Sequence, residues 1–309
     1  MIARLFSSVF GLRSIRRNPL HFQSPMASFE ASTSYWSEHN VSSHRVFTSA
    51  EDSLGYFHWR CDQYPGYLKL MPVSCFDDQA VLDYGCGPGH DLVGFSHYSR
   101  CRLLVGADVS PTSLAEARQR LSFHQSEAPL VLLDGSGRLP FPDNTFDHIH
   151  SSGVLHHVPD IASTLLELKR VLRPGGTLNI MVYNYNSIWL HLYVAYQRSI
   201  LQGLYPGLPL ADQFRASTDG EECPISRCFT PAQWCDLSSA AGFDCLFAGA
   251  AISLFELSLL PQRFSALMDE RLPVEHREFL GSLTFDIHGH PLFQGAVAGI
   301  DACYRLTKP

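Results

Sequence analysis

The chain concentrates its chemistry in a few residues: Asp83, Gly85, Cys86, Gly87 and Gly89, then Asp108 farther on. The first five lie in Val81-Leu82-Asp83-Tyr84-Gly85-Cys86-Gly87-Pro88-Gly89-His90-Asp91, an apolar run, an acid and three alternating glycines. Glycines let the backbone turn tightly and lie directly against a ligand. A helix after them offers unpaired N–H groups at its start. Such a loop suits a nucleoside-type ligand, the alternative being a plain strand–turn–helix corner. The dinucleotide fingerprint has its third glycine one place later, where this chain has His90. No Gly-Lys-Ser/Thr follows, which excludes the phosphate-cradling loop of nucleotide hydrolases. The carboxylate of Asp83 would repel a pyrophosphate and suits a ligand with a cationic amino group.

Leu103-Leu104-Val105-Gly106-Ala107-Asp108 is a second apolar run ending in an acid. An acid about 20 residues beyond the glycine loop, at a strand end, is where a ribose diol is gripped. Ser110-Pro111 then reads as N-cap and first helical position, with Leu114, Ala117 and Leu121 at helical spacing.

These residues need a scaffold, and the periodicity supplies one. Strands are expected at 79–84, 102–108, 129–133, 146–151 and 177–183, and helices at 90–98, 111–124 and 160–172. Asp160 caps the last helix, Leu165, Leu168 and Leu172 share its face, and Arg173-Pro174-Gly175-Gly176 stops it and turns the chain. Alternating strands and helices argue for a parallel sheet covered on both faces, with ligands at the carboxyl ends of the strands. Asp83, Asp108, Asp134 and Ser151 all fall at or just after such ends.

At this point the chain resembles a family. From about Val81 to Asn184 it is similar to the class I S-adenosylmethionine-dependent methyltransferases, in the group with the ubiquinone/menaquinone-type and related small-molecule enzymes. Four blocks carry the likeness in order: the glycine loop, Gly106-Ala107-Asp108-Val109-Ser110, Leu133-Asp134-Gly135 with Leu139-Pro140-Phe141-Pro142-Asp143, and Leu172-Arg173-Pro174-Gly175-Gly176-Thr177. Fainter echoes follow at Phe229–Trp234 and Ala241–Phe243. The resemblance implies an α/β fold: a Rossmann-like, seven-stranded, mostly parallel sheet with helices on both faces, an N-terminal helical cap and an inserted lid. It implies S-adenosylmethionine as cofactor, released as S-adenosylhomocysteine. Asp83 and the backbone of Gly85 to Gly89 would face its methionine part. Asp108 would bind the ribose and Val109 would pack on the adenine. Asp134 would accept from the adenine amino group, Gly135 would allow close approach, and Ser151 to Gly153 would lie beside the sulfonium. Cys86 would be a small packing residue of that loop.

Organisation follows from the same reading. Residues 1–25 carry Arg4, Arg13, Arg16 and Arg17 with no acid before Glu30, and read as a disordered or targeting extension. Residues 26–75, rich in Tyr and Trp, form the cap. Residues 76–184 are the cofactor-binding core and 185–229 the lid or substrate insertion. Residues 230–309 complete the sheet with a helix at 230–241, strands near 243–250 and 296–306, and an extra helical segment at 257–292. A cytoplasmic location is expected; a functional basic N-terminus would make it mitochondrial or peripheral to a membrane.

Composition bounds the partners. The 309 residues are 45% hydrophobic and 17% charged, with a net charge of −7. That describes a globular protein with no basic stripe, so no nucleic-acid partner and no transmembrane segment are expected. Nine scattered cysteines without C-x-x-C argue against a disulfide framework or a zinc site, and Cys223, Cys228 and Cys235 read as ordinary thiols. No metal is expected.

Methyl transfer to an oxygen, nitrogen or carbon nucleophile of a small molecule needs alignment first and a base only when the nucleophile must lose a proton. His156 and His157, after the fourth strand, are the candidate bases, His156 ahead because it is nearer the strand end. Tyr183 and Tyr185 are candidate substrate contacts. The apolar stretch Ile188–Tyr196 suggests an aromatic or lipid-like acceptor, whereas the polar loop with Asp212, Arg215, Asp219, Glu221, Glu222 and Arg227 suggests a polar or sugar-bearing one. All-round apolarity makes the stretch equally a core helix. Two alternatives remain: a catalytically silent cofactor-binding partner protein, and an NAD(P)-dependent oxidoreductase, which His90 in the third glycine's place disfavours.

Overall fold

The computed structural model describes residues 29–40 and 45–309; the extension 1–25 lies outside them. Strands β1 (Ala80–Tyr84), β2 (Leu103–Asp108), β3 (Leu130–Leu132), β4 (Phe146–Ser152) and β5 (Leu172–Asn184) are followed by β6 (Cys228–Phe229) and β7 (Asp244–Ala251). Then come β8 (Thr284–Phe285), β9 (Pro291–Phe293), β10 (Ala296–Val297) and β11 (Asp301–Thr307). The main sheet runs β3-β2-β1-β4-β5-β11-β7, with two-residue β6 beside β5. β1 to β5 are mutually parallel, and β11 runs antiparallel to both its neighbours. The order reverses between β1 and β4, which makes the carboxyl ends of those strands the natural ligand crevice.

Helices α1 (Phe29–Glu38), α2 (Ala50–Asp62) and α3 (Tyr67–Leu70) precede the sheet. α4 (His90–Tyr98), α5 (Pro111–Phe123) and α6 (Ile161–Val171) connect its first strands. α5 begins where Ser110 accepts from Ser113 N–H with Pro111 in the first turn, and α6 where Asp160 accepts from Ser163 N–H. In β1, successive side chains point to opposite faces. Leu82 joins the layer built around Leu165, Leu168 and Trp234, while Val81 joins the layer with Phe57, Val93 and Phe95. The sheet is therefore covered on both sides.

The rest of the chain departs from the simple pattern. Arg173–Gly176 does not form a free turn: β5 already starts at Leu172, and Gly175 and Gly176 exchange backbone bonds with Lys308. The last strand starts at Asp301, not near 296, because Ala296–Val297 pairs instead with Leu292–Phe293 in a separate three-stranded sheet. Trp189–Leu201 is a π-helix whose end is marked by Gln202 N–H donating to Gln197. After it come α7 (Leu210–Thr218) and α8 (Pro231–Ala240), then α9 (Leu254–Leu259), α10 (Arg263–Met268) and α11 (Val274–Ser282). Ile188, Leu192 and Tyr196 of the π-helix region pack with Leu259, Ala266, Phe279 and Leu280. This is a second core: the apolar stretch and the segment after 250 bury each other. One pair of cysteines departs from the expectation for thiols, since Cys235 of α8 and Cys245 of β7 form a disulfide. Among the described residues no helix is long and apolar enough to cross a membrane.

Glu256 fastens the second core to the first turn of the π-helix. Its buried carboxylate accepts from Trp189 N–H (3.2 Å), Ser253 N–H (2.8 Å) and the Ser253 hydroxyl (2.9 Å). Burial pushes this carboxyl from 4.5 up to about 8. The folded state then holds a proton that the unfolded chain has lost, so stability falls as pH rises through that window. Urea unfolding at about pH 5 and about pH 8 should show wild type losing stability relative to Glu256→Gln; equal slopes would exclude the buried ionisable role.

Candidate functional site

The site grows out of the backbone after β1. Gly85 (φ 75°) and Gly87 (φ 51°) both take left-handed conformations that favour glycine. A Cβ on Gly85 would lie 2.3 Å from Val154 Cγ2, so the loops after β1 and β4 touch there. At Gly87 a Cβ would meet nothing within 4 Å: the loop faces open space. Gly87 N–H donates to Asp108 Oδ2 and Ser110 N–H to Asp108 Oδ1, both at 2.8 Å. The carboxylate at the end of β2 thereby clamps the glycine loop, while burial raises its pKa above the usual value.

Gly85, Gly87, Asp108 and Val109 line one end of a cavity of about 350 Å³ at the β1/β4 switch point. That size falls within the range of small-molecule sites. A smaller cavity of about 200 Å³ adjoins it, sharing Tyr84, Leu133, Val158 and Pro159, and is lined by Asp134 and Gly135. Phe29 lies so close to Gly135 that a Cβ there would sit 2.0 Å from its ring. Cys86 is buried against Gly106 with its thiol donating to Gly87 O, a packing role. Gly89 forms the N-cap of α4, away from the cavity lining.

Beneath the loop, Asp83 is buried and its Oδ2 has no hydrogen-bond partner. Burial raises its carboxyl to about 7, with His150 opposing and Asp91 and Asp108 adding to the rise. Asp91 itself, though buried, is held well below the usual carboxylate range by Arg60 (3.5 Å) and His150 (3.4 Å). Arg60, from α2, also lines the cavity and is its only Lys or Arg among the described residues.

The far end is built by His157, Tyr183 and Asp219. His157 Nδ1 lies 2.6 Å from the Ile225 carbonyl, so it is the donor and neutral Nε2 carries the lone pair. Nε2 is 3.9 Å from Asp219 Oδ1. Burial lowers the His157 pKa, with Asp219 partly offsetting it. Asp219 accepts from Tyr183 OH at Oδ1 (2.9 Å) and from Ser226 OH at Oδ2 (2.6 Å), and its carbonyl accepts from Tyr35 OH. Trp36 of α1 packs on the His157 ring at 4.7 Å, which brings the cap, the turn after β4 and the 185–229 insertion together. His157, Asp219 and Cys223 place one potential metal-ligating atom each within 4.8 Å of one another. Asp219 is already spent on two hydroxyls, Cys223 donates to Ile225 O, and burial lifts its thiol to about 12.

Several expectations need correction. His156, the favoured base, does not line the cavity: it is fully buried, both ring nitrogens lack partners, and it stacks on Tyr183 at 3.8 Å. His157, the other candidate, does line it. Ser151 points into the sheet with an unpartnered hydroxyl, while Ser152 and Gly153 line the cavity. Tyr185 lies outside the lining and meets His191 edge-on. Two charged lining residues, among others, escaped the sequence reading. Arg60 hides in an aromatic-rich helix whose other face is core. Asp301 was placed mid-strand, although an acid at a strand end was the available signal.

Residues 82–180 match the family described as methyltransferase domain. An uncharacterised methyltransferase of Schizosaccharomyces pombe is 39% identical over 124 residues, 38% of this chain and 44% of that protein. A demethylmenaquinone methyltransferase of Symbiobacterium thermophilum is 35% identical over 98 residues, 31% of this chain and 39% of that one. The match thus spans less than half of either relative. Among solved structures, the YcgJ protein from Bacillus subtilis has a TM-score of 0.48 at 18% identity, covering 78% of this chain and 97% of that chain. With four sequence blocks, a sheet that reverses at β1/β4 and a matching domain family, residues 82–180 form a methyltransferase domain of the class I S-adenosylmethionine-dependent type.

Proposed function

We propose that this protein transfers the methyl group of S-adenosylmethionine to a small-molecule acceptor. The observation that carries the reading is one cavity with two chemically different ends, Asp108 and Gly87 at one and His157, Tyr183 and Asp219 at the other. The residues present fit the cofactor. Gly87 opens on free space, and Asp83, buried below the loop and outside the cavity lining, keeps an unpartnered Oδ2 that an ammonium group could reach only by a shift of the loop. Asp108 has lone pairs left for ribose hydroxyls, with Val109 against the adenine. Asp134 and Gly135 lie in the adjoining cavity where the adenine amino group would reach. Arg60 supplies a counter-charge for the methionine carboxylate.

When bound, the cofactor supplies a methyl group on a sulfonium, already activated for attack. The chain's own work is alignment and exclusion of water. Gly85 and Gly153 let two loops approach the reacting centre from β1 and β4. His157, held by Ile225, presents Nε2 to take a proton from the acceptor, and Asp219 stabilises the resulting imidazolium. The relatives' names support a small-molecule acceptor without fixing its type. A catalytically silent role remains the second reading, since binding residues alone do not require turnover.

Calorimetry should show one S-adenosylhomocysteine bound per chain, and Asp108→Asn should weaken it at least about tenfold by removing a charged hydrogen-bonding group. No binding by folded protein would sink the reading. Release of S-adenosylhomocysteine with an acceptor panel then separates enzyme from silent partner. With a turned-over acceptor, His157→Gln should lower kcat by about 10²–10⁴-fold without changing S-adenosylhomocysteine affinity. His156→Leu should leave both intact. Because burial lowers the His157 pKa, activity should hold as pH falls to about 6.5 and drop only below it; an inversion of the two variants would restore His156 as the base.

A further inference from the structure

We propose that the acceptor carries a protonated amino group and that Asp301 is the carboxylate that recognises it. The proposal rests on the methyltransferase reading and names the chemistry of its second ligand. Asp301 is the first residue of β11, paired in register with Tyr183 of β5 and Ala251 of β7. Because β11 runs antiparallel, its start lies at the edge where the parallel strands end. There Asp301 enters the cavity lining.

The side chain is unspent. Asp301 is 4% exposed, and its carboxylate accepts no hydrogen bond among the described residues. Arg60, the cation that influences it, makes its ion pair with Asp91 at 3.5 Å instead. Burial raises the Asp301 carboxyl to about 7, so a cationic partner is what would keep it ionised. A buried charge without a partner is costly, and the mouth of this cavity is the direction from which one can come.

The walls fit the same occupant. Tyr64, Tyr67 and Tyr183 line the cavity, and Asp301's charge contributes to raising all three phenols, leading the causes at Tyr64. Aromatic faces attract cations through their quadrupoles, most strongly when water is excluded. Asp219, the other acid at this end, already accepts from Tyr183 and Ser226. An anionic acceptor would meet two carboxylates here, and a neutral one would leave Asp301 unpaired.

Phenethylamine, 2-phenylethanol and phenylacetate form a matched probe set of cation, neutral and anion. Each is titrated calorimetrically into full-length protein, with and without saturating S-adenosylhomocysteine. The amine should bind at least about tenfold tighter than the alcohol, and phenylacetate weakest. Asp301→Asn should erase the amine–alcohol difference with S-adenosylhomocysteine affinity unchanged, and Asp301→Glu should restore part of it. Equal affinity for amine and alcohol, no amine binding, or a preference that survives in folded Asp301→Asn overturns the proposal. So does a loss of S-adenosylhomocysteine affinity in that variant, which would put Asp301 at the cofactor. If S-adenosylhomocysteine fails to bind at all, the methyltransferase reading falls, while the amine preference is still read in its absence.

Discussion

The site depends on one buried ion cluster, in which Asp91 is held between Arg60 and His150. Each partner comes from a different layer: Arg60 from the cap helix α2, Asp91 from the first turn of α4, His150 from β4 at the switch point. Taking Asp91 and His150 out of water is expensive, and the gain is position more than stability. Asp91 also sits where a helix N-terminus favours negative charge. With the charge settled there, neighbouring Asp83 is left as a carboxyl near neutrality with an unpartnered oxygen. The cluster therefore ties α2 to the sheet and leaves one acid buried beneath the glycine loop with an unpartnered oxygen.

A second constraint shapes the opposite end. Strand β11 enters antiparallel between β5 and β7, so its first residue, rather than its last, reaches the ligand edge. The segment 210–228 borders the same end. Asp219, just after α7, ties Tyr35 of the cap to Tyr183 of the sheet and stands beside His157. Cap, sheet and insertion meet at one residue, so movement of any one of them changes the surroundings of His157 Nε2.

Much of this was legible in the chain because it is local. The glycine loop, the acid at the end of β2 and the caps at Ser110 and Asp160 depend on residues adjacent in sequence, and their spacing carries their geometry, whereas the clamp of Asp108 on Gly87 spans 21 residues and was not legible. What escaped was decided by pairing between distant segments. Ser151 and Ser152 differ by a single step along β4, and alternation sends them to opposite sides; only the register shows which faces the cavity. His156 and His157 are similarly separated by one step in a tight turn, and the distant Ile225 carbonyl fixes the ring of His157. Asp301 became visible only once Ala296–Val297 paired elsewhere and moved the start of β11. The Cys235–Cys245 link joins α8 to β7 across a turn whose geometry no cysteine spacing rule describes.

The two conflicting clues about the acceptor separate for the same reason. The apolar stretch from Ile188 to Tyr196 is not cavity wall: Leu190, Leu192, Val194 and Ala195 are buried, and Ile188 and Leu192 pack on Leu259, Phe279 and Leu280. Its hydrophobicity is used in holding the two insertions together, so it says nothing about the acceptor. Among the charged residues of the insertion, Asp212 pairs with Arg215, and Arg215 binds the Glu221 and Cys223 carbonyls. Those charges are structural too. What remains facing the acceptor end is a small set of polar atoms on aromatic walls: Tyr64, Tyr67, Tyr183, His157, Asp219 and Asp301. Under the proposed reading, selectivity at such a site comes from a carboxylate whose bonding is incomplete, because a wrong ligand leaves it buried and unpaired. The polarity of the acceptor is thus a question for the edge of the sheet, at β5 and β11, rather than for the glycine loop that identifies the fold.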